Sequence, residues 1–96
     1  MKKQSIEHTK LLVLSLLSGS DMYGYQMITE LERRSDDTFH MKEGTLYPVL
    51  HGLEKDGAVE AYQQETPQGR IRKYYRLTKL GRGLLKAEES EWSSYS

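Results

Sequence analysis

The chain has 96 residues, with 14 Lys and Arg against 14 Asp and Glu, no cysteine, and 36% hydrophobic and 29% charged residues. That length holds one small domain burying only about 60 to 65% of its unfolded surface, so the core is marginal and favours an economical fold or a second copy. The missing cysteine excludes a disulfide scaffold, a thiolate metal site and a Cys nucleophile and fits a cytoplasmic protein, while zero net charge speaks at first sight against nucleic acid, whose binding draws on Lys and Arg.

No repeat, low-complexity tract or linker interrupts the chain, so residues 5–96 read as one domain. The first segment, Ile6 to Ser18, is apolar at Ile6, Leu11, Leu12, Val13, Leu14, Leu16 and Leu17 and stops at Gly19. Its longest apolar run, Leu11 to Leu17, is far short of the roughly 20 residues of a membrane span, and Glu7, His8 and Lys10 sit where a signal peptide requires spacer or apolar residues. A helix apolar all round must be covered on several sides, which predicts that a second subunit covers one of them.

The second segment, Tyr23 to Arg34, puts Gly24, Met27, Ile28 and Leu31 on one helical stripe, with Ser20 and Asp21 as candidate caps. Gly24 costs about 1 kcal/mol of helix propensity relative to Ala, which predicts a close approach by another helix. Tyr23 and Tyr25, at the start of this helix, are expected to fill core with their hydroxyls reaching partners.

After a polar break at Ser35 to Lys42, a third helix runs from about Gly44 to Asp56. Leu46, Val49, Leu50 and Leu53 share one stripe, while Tyr47, Pro48, His51 and Lys55 lie opposite. Because Pro48 lacks an N–H, the spacing predicts that the helix starts at Gly44 or Thr45, which places the proline in its first turn; Gly57 then ends it.

From here the period changes to two. Ala58 to Gln64 and Arg70 to Leu77 read as a β-hairpin around Glu65 to Gly69, with Pro67 and Gly69 at positions i+1 and i+3 of a type I turn. Thr78 caps a last helix in which Gly81, Leu84, Leu85, Trp92 and Tyr95 share a face, flanked by Leu80 and Ala87. Residues 66–87 carry Arg70, Arg72, Lys73, Arg76, Lys79, Arg82 and Lys86 and no acid, a local charge of +7 against −7 in the remainder. The neutral total therefore hides a segregated charge.

Helix, helix, helix, hairpin, helix, with a basic hairpin, is the order of a winged helix-turn-helix, mainly α with a small antiparallel β-hairpin. In that geometry the helix after the turn enters the major groove, where every base pair shows a distinct donor and acceptor pattern, and the wing tracks phosphates. Tyr47, Pro48 and His51, preceded by Lys42 and Thr45, are the candidate base-reading residues, and Arg70, Arg72, Lys73 and Arg76, interleaved with Tyr74 and Tyr75, the candidate phosphate contacts.

Three blocks, Met22 to Ile28 (MYGYQMI), Gly44 to Gly57 (GTLYPVLHGLEKDG) and Arg72 to Gly81 (RKYYRLTKLG), resemble the signature segments of the PadR family of bacterial transcriptional regulators, and the likeness runs from about residue 10 to 92. The resemblance implies a homodimeric repressor on a pseudo-palindromic operator of double-stranded DNA. It implies that Lys42, Gly44, Thr45, Tyr47 and Pro48 and the basic wing residues lie against that DNA, and that the first and last helices form the dimer. The expected interface residues are Leu12, Leu16, Leu84, Leu85, Trp92 and Tyr95. Some members of the family release DNA when a phenolic or other aromatic compound binds, in certain cases near a Trp of the last helix. No cofactor is implied.

Other readings of the same residues carry less. His8, His40 and His51 form no i, i+3 or i, i+4 ligand pair, and a zinc site from His40, Asp36 and Asp37 competes with the ordinary reading of solvated loop acids. No Ser-His-Asp arrangement, phosphate-binding glycine loop or paired carboxylates stand out, which argues against an enzyme. Tyr47 and Pro48 could be structural, Tyr47 packing on the wing, but both point away from the apolar stripe, which favours DNA contact. A winged helix used as a protein-interaction module for an acidic partner is the alternative from another class.

Overall fold

The computed structural model describes residues 6–34 and 41–95, with side chains from 8 to 34 and from 41 to 88. The elements run α1 (Ile6–Gly19), β1 (Met22–Tyr23), α2 (Gly24–Arg34), α3 (Glu43–Lys55), β2 (Val59–Glu65), β3 (Ile71–Leu77) and α4 (Lys79–Tyr95). This is the winged helix fold.

The all-round apolar character of α1 has its explanation inside the chain. The helix packs against α2, α3, α4 and β3, so Val13, Leu14, Leu16 and Leu17 are all buried in a core shared with Met27, Leu46, Leu50, Tyr75 and Leu77. Among the described apolar side chains of α1, only Leu11 and Leu12 are left half-buried. The chain's own elements cover the other described apolar side chains of the helix.

The sheet has one strand more than the hairpin expected. β2 and β3 pair antiparallel from Val59 opposite Leu77 to Glu65 opposite Ile71, and β1 adds to the free edge of β3 with Met22 opposite Tyr75 and Tyr23 opposite Tyr74. Two residues carry no periodic signal of their own; they become a strand because β3 offers them an open edge. The connection of β2 to β3 is a turn in which the Gly69 N–H donates to the Thr66 carbonyl at 2.9 Å, with Gly69 at φ +86°. Buried Thr66 closes the loop, its hydroxyl accepting from the Arg70 N–H at 3.2 Å.

β1 also changes how α2 begins. The chain enters that helix from the sheet at Tyr23, whose N–H donates to Gln26 Oε1 at 3.1 Å in place of the expected Ser20 or Asp21 cap. Asp21 instead accepts from the Tyr62 hydroxyl at 2.5 Å, tying the start of β1 to β2.

α3 ends as its glycine predicts. Gly57, at φ +81°, donates to the Glu54 carbonyl, and Ala58 donates to that of Leu53, the paired bonds of a Schellman motif. α4 starts on Thr78, whose Oγ1 accepts from the Gly81 N–H at 3.0 Å and whose hydroxyl donates to the Gly57 carbonyl at 2.6 Å. One side chain therefore caps α4 and binds it to the end of α3.

Candidate nucleic-acid interface

α3 is amphipathic, and its apolar stripe decides what remains outside. Leu46, Val49, Leu50 and Leu53 are buried against α1 and α2, so Lys42, Gly44, Thr45, Pro48 and His51 emerge exposed on the other sides. The helix begins one residue earlier than the proline suggests: Lys42 caps it through its carbonyl, which accepts from Thr45 and Leu46, and Pro48 falls in the second turn. The cost of that position is the lost bond to the carbonyl of residue 44. Gly44 is exposed, so water can take the place of the missing donor, and the helix continues.

Tyr47 sits at the boundary between the two sides, 36% exposed. Its phenolic end lies on the first residue of α2 rather than on the wing: a Cβ at Gly24 would come within 2.6 Å of the Tyr47 hydroxyl and 3.0 Å of its ring. This is the close approach that a glycine at position 24 predicts. Burial, followed by the neighbouring Glu43 carboxylate, pushes the phenol above its ordinary pKa against the opposing pull of Arg72, so it remains a neutral donor and acceptor at physiological pH.

On the wing, strand alternation divides the expected basic cluster. Arg72 and Arg76, with Tyr74 between them, lie on the outer face, whereas Lys73 shares the inner face with Ile71, Tyr75 and Leu77. Lys73 therefore turns toward α3, with Nζ 3.8 Å from Glu54 Oε1 and 5.5 Å from the Tyr75 ring centre. Arg76 is paired with Glu60 at 2.7 Å and lies over Tyr62, while Arg72 is held over Tyr23, 5.6 Å from its ring centre. The Arg70 guanidinium, beside the turn, has no partner among the described residues.

The outer face carries aromatic side chains that the composition of the strands signals but does not locate. Tyr74 is edge-on to Tyr23 at 5.2 Å and stacked with Tyr62 at 5.8 Å, so it joins the two rings that support the guanidiniums, Tyr23 under Arg72 and Tyr62 under Arg76. The hydrogen bond to Asp21 raises the pKa of Tyr62 and keeps it protonated. Tyr23 is half-buried here rather than in the core, and Tyr25 is exposed, because the buried stripe of α2 runs through Gly24, Met27, Ile28 and Leu31 and leaves residue 25 beside it.

The expected dimer residues divide as well. Leu16 is 1% exposed and is used in the chain's own core, and Leu12 and Leu85 pack half-buried on that core. Leu84, 46% exposed, and its neighbour Leu80, at 52%, are the large apolar side chains α4 presents to solvent among the described residues. Trp92 and Tyr95 fall on the last turns of α4, and their side chains lie outside the described residues, as do His40, Asp36 and Asp37.

Residues 13–87 match the family described as the transcriptional regulator PadR-like family. The chain is 36% identical over 76 residues, covering 79% of its own length and 67% of the relative, to the transcriptional regulator Rv3488 of Mycobacterium tuberculosis. Its fold is similar to smu.1704 of Streptococcus mutans UA159, with a TM-score of 0.81 and 40% identity over 99% of this chain and 86% of that one. It is also similar to a PadR family transcription regulator of Clostridium difficile R20291, with a TM-score of 0.75 and 32% identity over 90% and 88% of the two chains.

Proposed function

The chain belongs to the PadR-like family of transcriptional regulators, and on that premise we propose that it represses transcription as a homodimer bound to a pseudo-palindromic operator. In this reading α3 enters the major groove, with Lys42, Gly44, Thr45, Tyr47, Pro48 and His51 toward the bases and adjoining phosphates, and the wing holds the backbone through Arg70, Arg72 and Arg76. The observation that carries it is the two-sided build of α3, whose buried stripe leaves Lys42, Thr45, Pro48 and His51 outward with no role in the core and Tyr47 at the boundary. Lys73 enters the reading in a secondary place, since it faces Glu54. Dimerisation falls to α1 and α4, with Leu84 and Leu80 as the exposed apolar contribution and Trp92 and Tyr95 as further expected contacts. The two recognition helices would then meet half-sites about 34 Å apart. Release by an aromatic compound belongs to the same proposal, as does a cytoplasmic location; no helix among the described residues is long and apolar enough to cross a membrane.

Gel-shift titration against duplex from the protein's own upstream region tests this. Tyr47→Ala should weaken specific binding, and Arg72→Ala should weaken binding to all sequences and flatten its salt dependence. Equal affinity for upstream and scrambled duplex would sink the operator reading.

One observation favours a second reading. Arg76 and Lys73 already have acidic partners, and the outer sheet face is aromatic, which suits a protein-interaction surface with fewer free charges than phosphate binding uses. Competition separates the two: a protein-interaction module keeps its protein partner in the presence of duplex DNA, whereas a DNA-binding face gives it up.

A further inference from the structure

Gly24 is the first residue of α2, and its backbone gives no reason for a glycine, since the positive φ values belong to Gly57 and Gly69. Its reason is space. A Cβ there would meet the Tyr47 hydroxyl at 2.6 Å and Cε1 and Cζ at 3.0 Å, so the phenol occupies the volume a side chain at position 24 would fill. On the other side the start of α2 is held by the sheet, through the pairing of Met22 and Tyr23 with Tyr75 and Tyr74, and by the Gln26 side chain on the Tyr23 N–H. Any crowding between residues 24 and 47 therefore falls on the Tyr47 ring, the end of a side chain with two free torsions, and not on the backbone.

We propose that Gly24 is a positioning residue for DNA recognition: the bare backbone at the start of α2 is the seat that holds the Tyr47 ring in one orientation while the rest of the side chain remains on the exposed side of α3. A ring already seated loses less rotamer freedom on binding than a free one, and a fixed ring can discriminate between sequences where a mobile one makes only averaged contacts. This rests on the DNA-binding reading above. It adds a residue outside the helix that touches DNA, and it assigns that residue to specificity rather than to overall affinity, because Arg72 and Arg76 are held by Tyr23, Tyr62 and Glu60 and not by the Tyr47 ring.

The probes are the duplex that the wild-type chain enriches from a random-sequence pool and a shuffled version of it. Gly24→Ala should lower the preference for the enriched duplex about tenfold, with the affinity for shuffled duplex unchanged. In a Tyr47→Ala background, where no ring occupies the seat, Gly24→Ala should leave the sequence preference unchanged, and the double variant should melt at or above Tyr47→Ala alone, since alanine is the better helix former. A purely structural role for Gly24 predicts an equal loss in both backgrounds; that result, or a preference left unchanged by Gly24→Ala in the chain that keeps Tyr47, overturns the proposal. A wild-type chain that enriches no sequence at all overturns the DNA reading and the proposal with it, whereas enrichment without coupling between 24 and 47 overturns the proposal alone.

Discussion

Gly81 and Gly52 are both helical glycines with ordinary φ, and they behave in opposite ways. A Cβ at Gly81 would overlap the Ala58 carbonyl oxygen and approach Leu77 Cδ1 at 2.6 Å, so α4 can cross the end of α3 only without a side chain there. Gly81→Ala should destabilise the protein by about 1 to 3 kcal/mol in urea unfolding, as overpacking does. Nothing lies within 4 Å of a Cβ at Gly52, so Gly52→Ala should stabilise by about 0.5 to 1 kcal/mol through helix propensity. The same resolution by contact separates the wing cations. Arg76 is compensated by Glu60 and Arg70 is not, so Arg70→Ala should reduce the salt slope of DNA binding more than Arg76→Ala does. Lys73, expected among the phosphate contacts, is turned inward by strand alternation and meets Glu54, an acid from a helix whose place the strand pattern does not define.

Among the elements, α4 depends most on one side chain. Thr78→Ala removes the acceptor for the Gly81 N–H and the bond to the Gly57 carbonyl and should cost about 1 to 2 kcal/mol, read as a lower melting temperature. At the other end of the chain, α2 closes with Glu30 accepting from Arg33 at 2.6 Å and Arg34 at 2.8 Å. These bonds bring the Glu30 pKa from 4.5 to about 2. Between those values the unfolded chain binds the proton and the folded chain does not, so stability rises with pH there; the contribution is present above about pH 4.5 and is lost as pH falls toward 2. Glu30→Gln should flatten this part of the acid-unfolding curve only slightly, since the carboxylate is exposed and screened. Helices and hairpin were legible because their periods and stop signals are local. The start of α3 and the strand β1 were not: one is set by the Lys42 carbonyl accepting from Thr45 and Leu46, the other by pairing with Tyr74 and Tyr75 on an edge far along the chain.

For the whole molecule, charge and apolar surface lead to separate expectations. The seven cations of residues 66–87 are distributed over an outer wing face, an inner wing position facing Glu54 and the exposed side of α4 at Lys79, Arg82 and Lys86, so the block is not one patch. Binding of duplex should therefore be salt-dependent with a slope set mainly by Arg70 and Arg72. The apolar surplus is smaller than α1 suggests, because the chain buries most of that helix itself. A dimer mass by light scattering at micromolar concentration, shifting toward monomer for Leu84→Glu, is the expected result; an unchanged dimer in that variant would remove Leu84 from the interface.

The amino-acid order alone determined the three helices before the wing, the basic hairpin, the capped last helix and the likeness to a family of regulators, since each rests on residues near one another in the chain. How far α1 is covered by its own chain, which wing cations are free, and which side chain approaches Gly24 were decided only in the tertiary structure. These depend on pairs distant in sequence, Met22 with Tyr75, Glu54 with Lys73 and Gly24 with Tyr47, whose meeting no local period encodes.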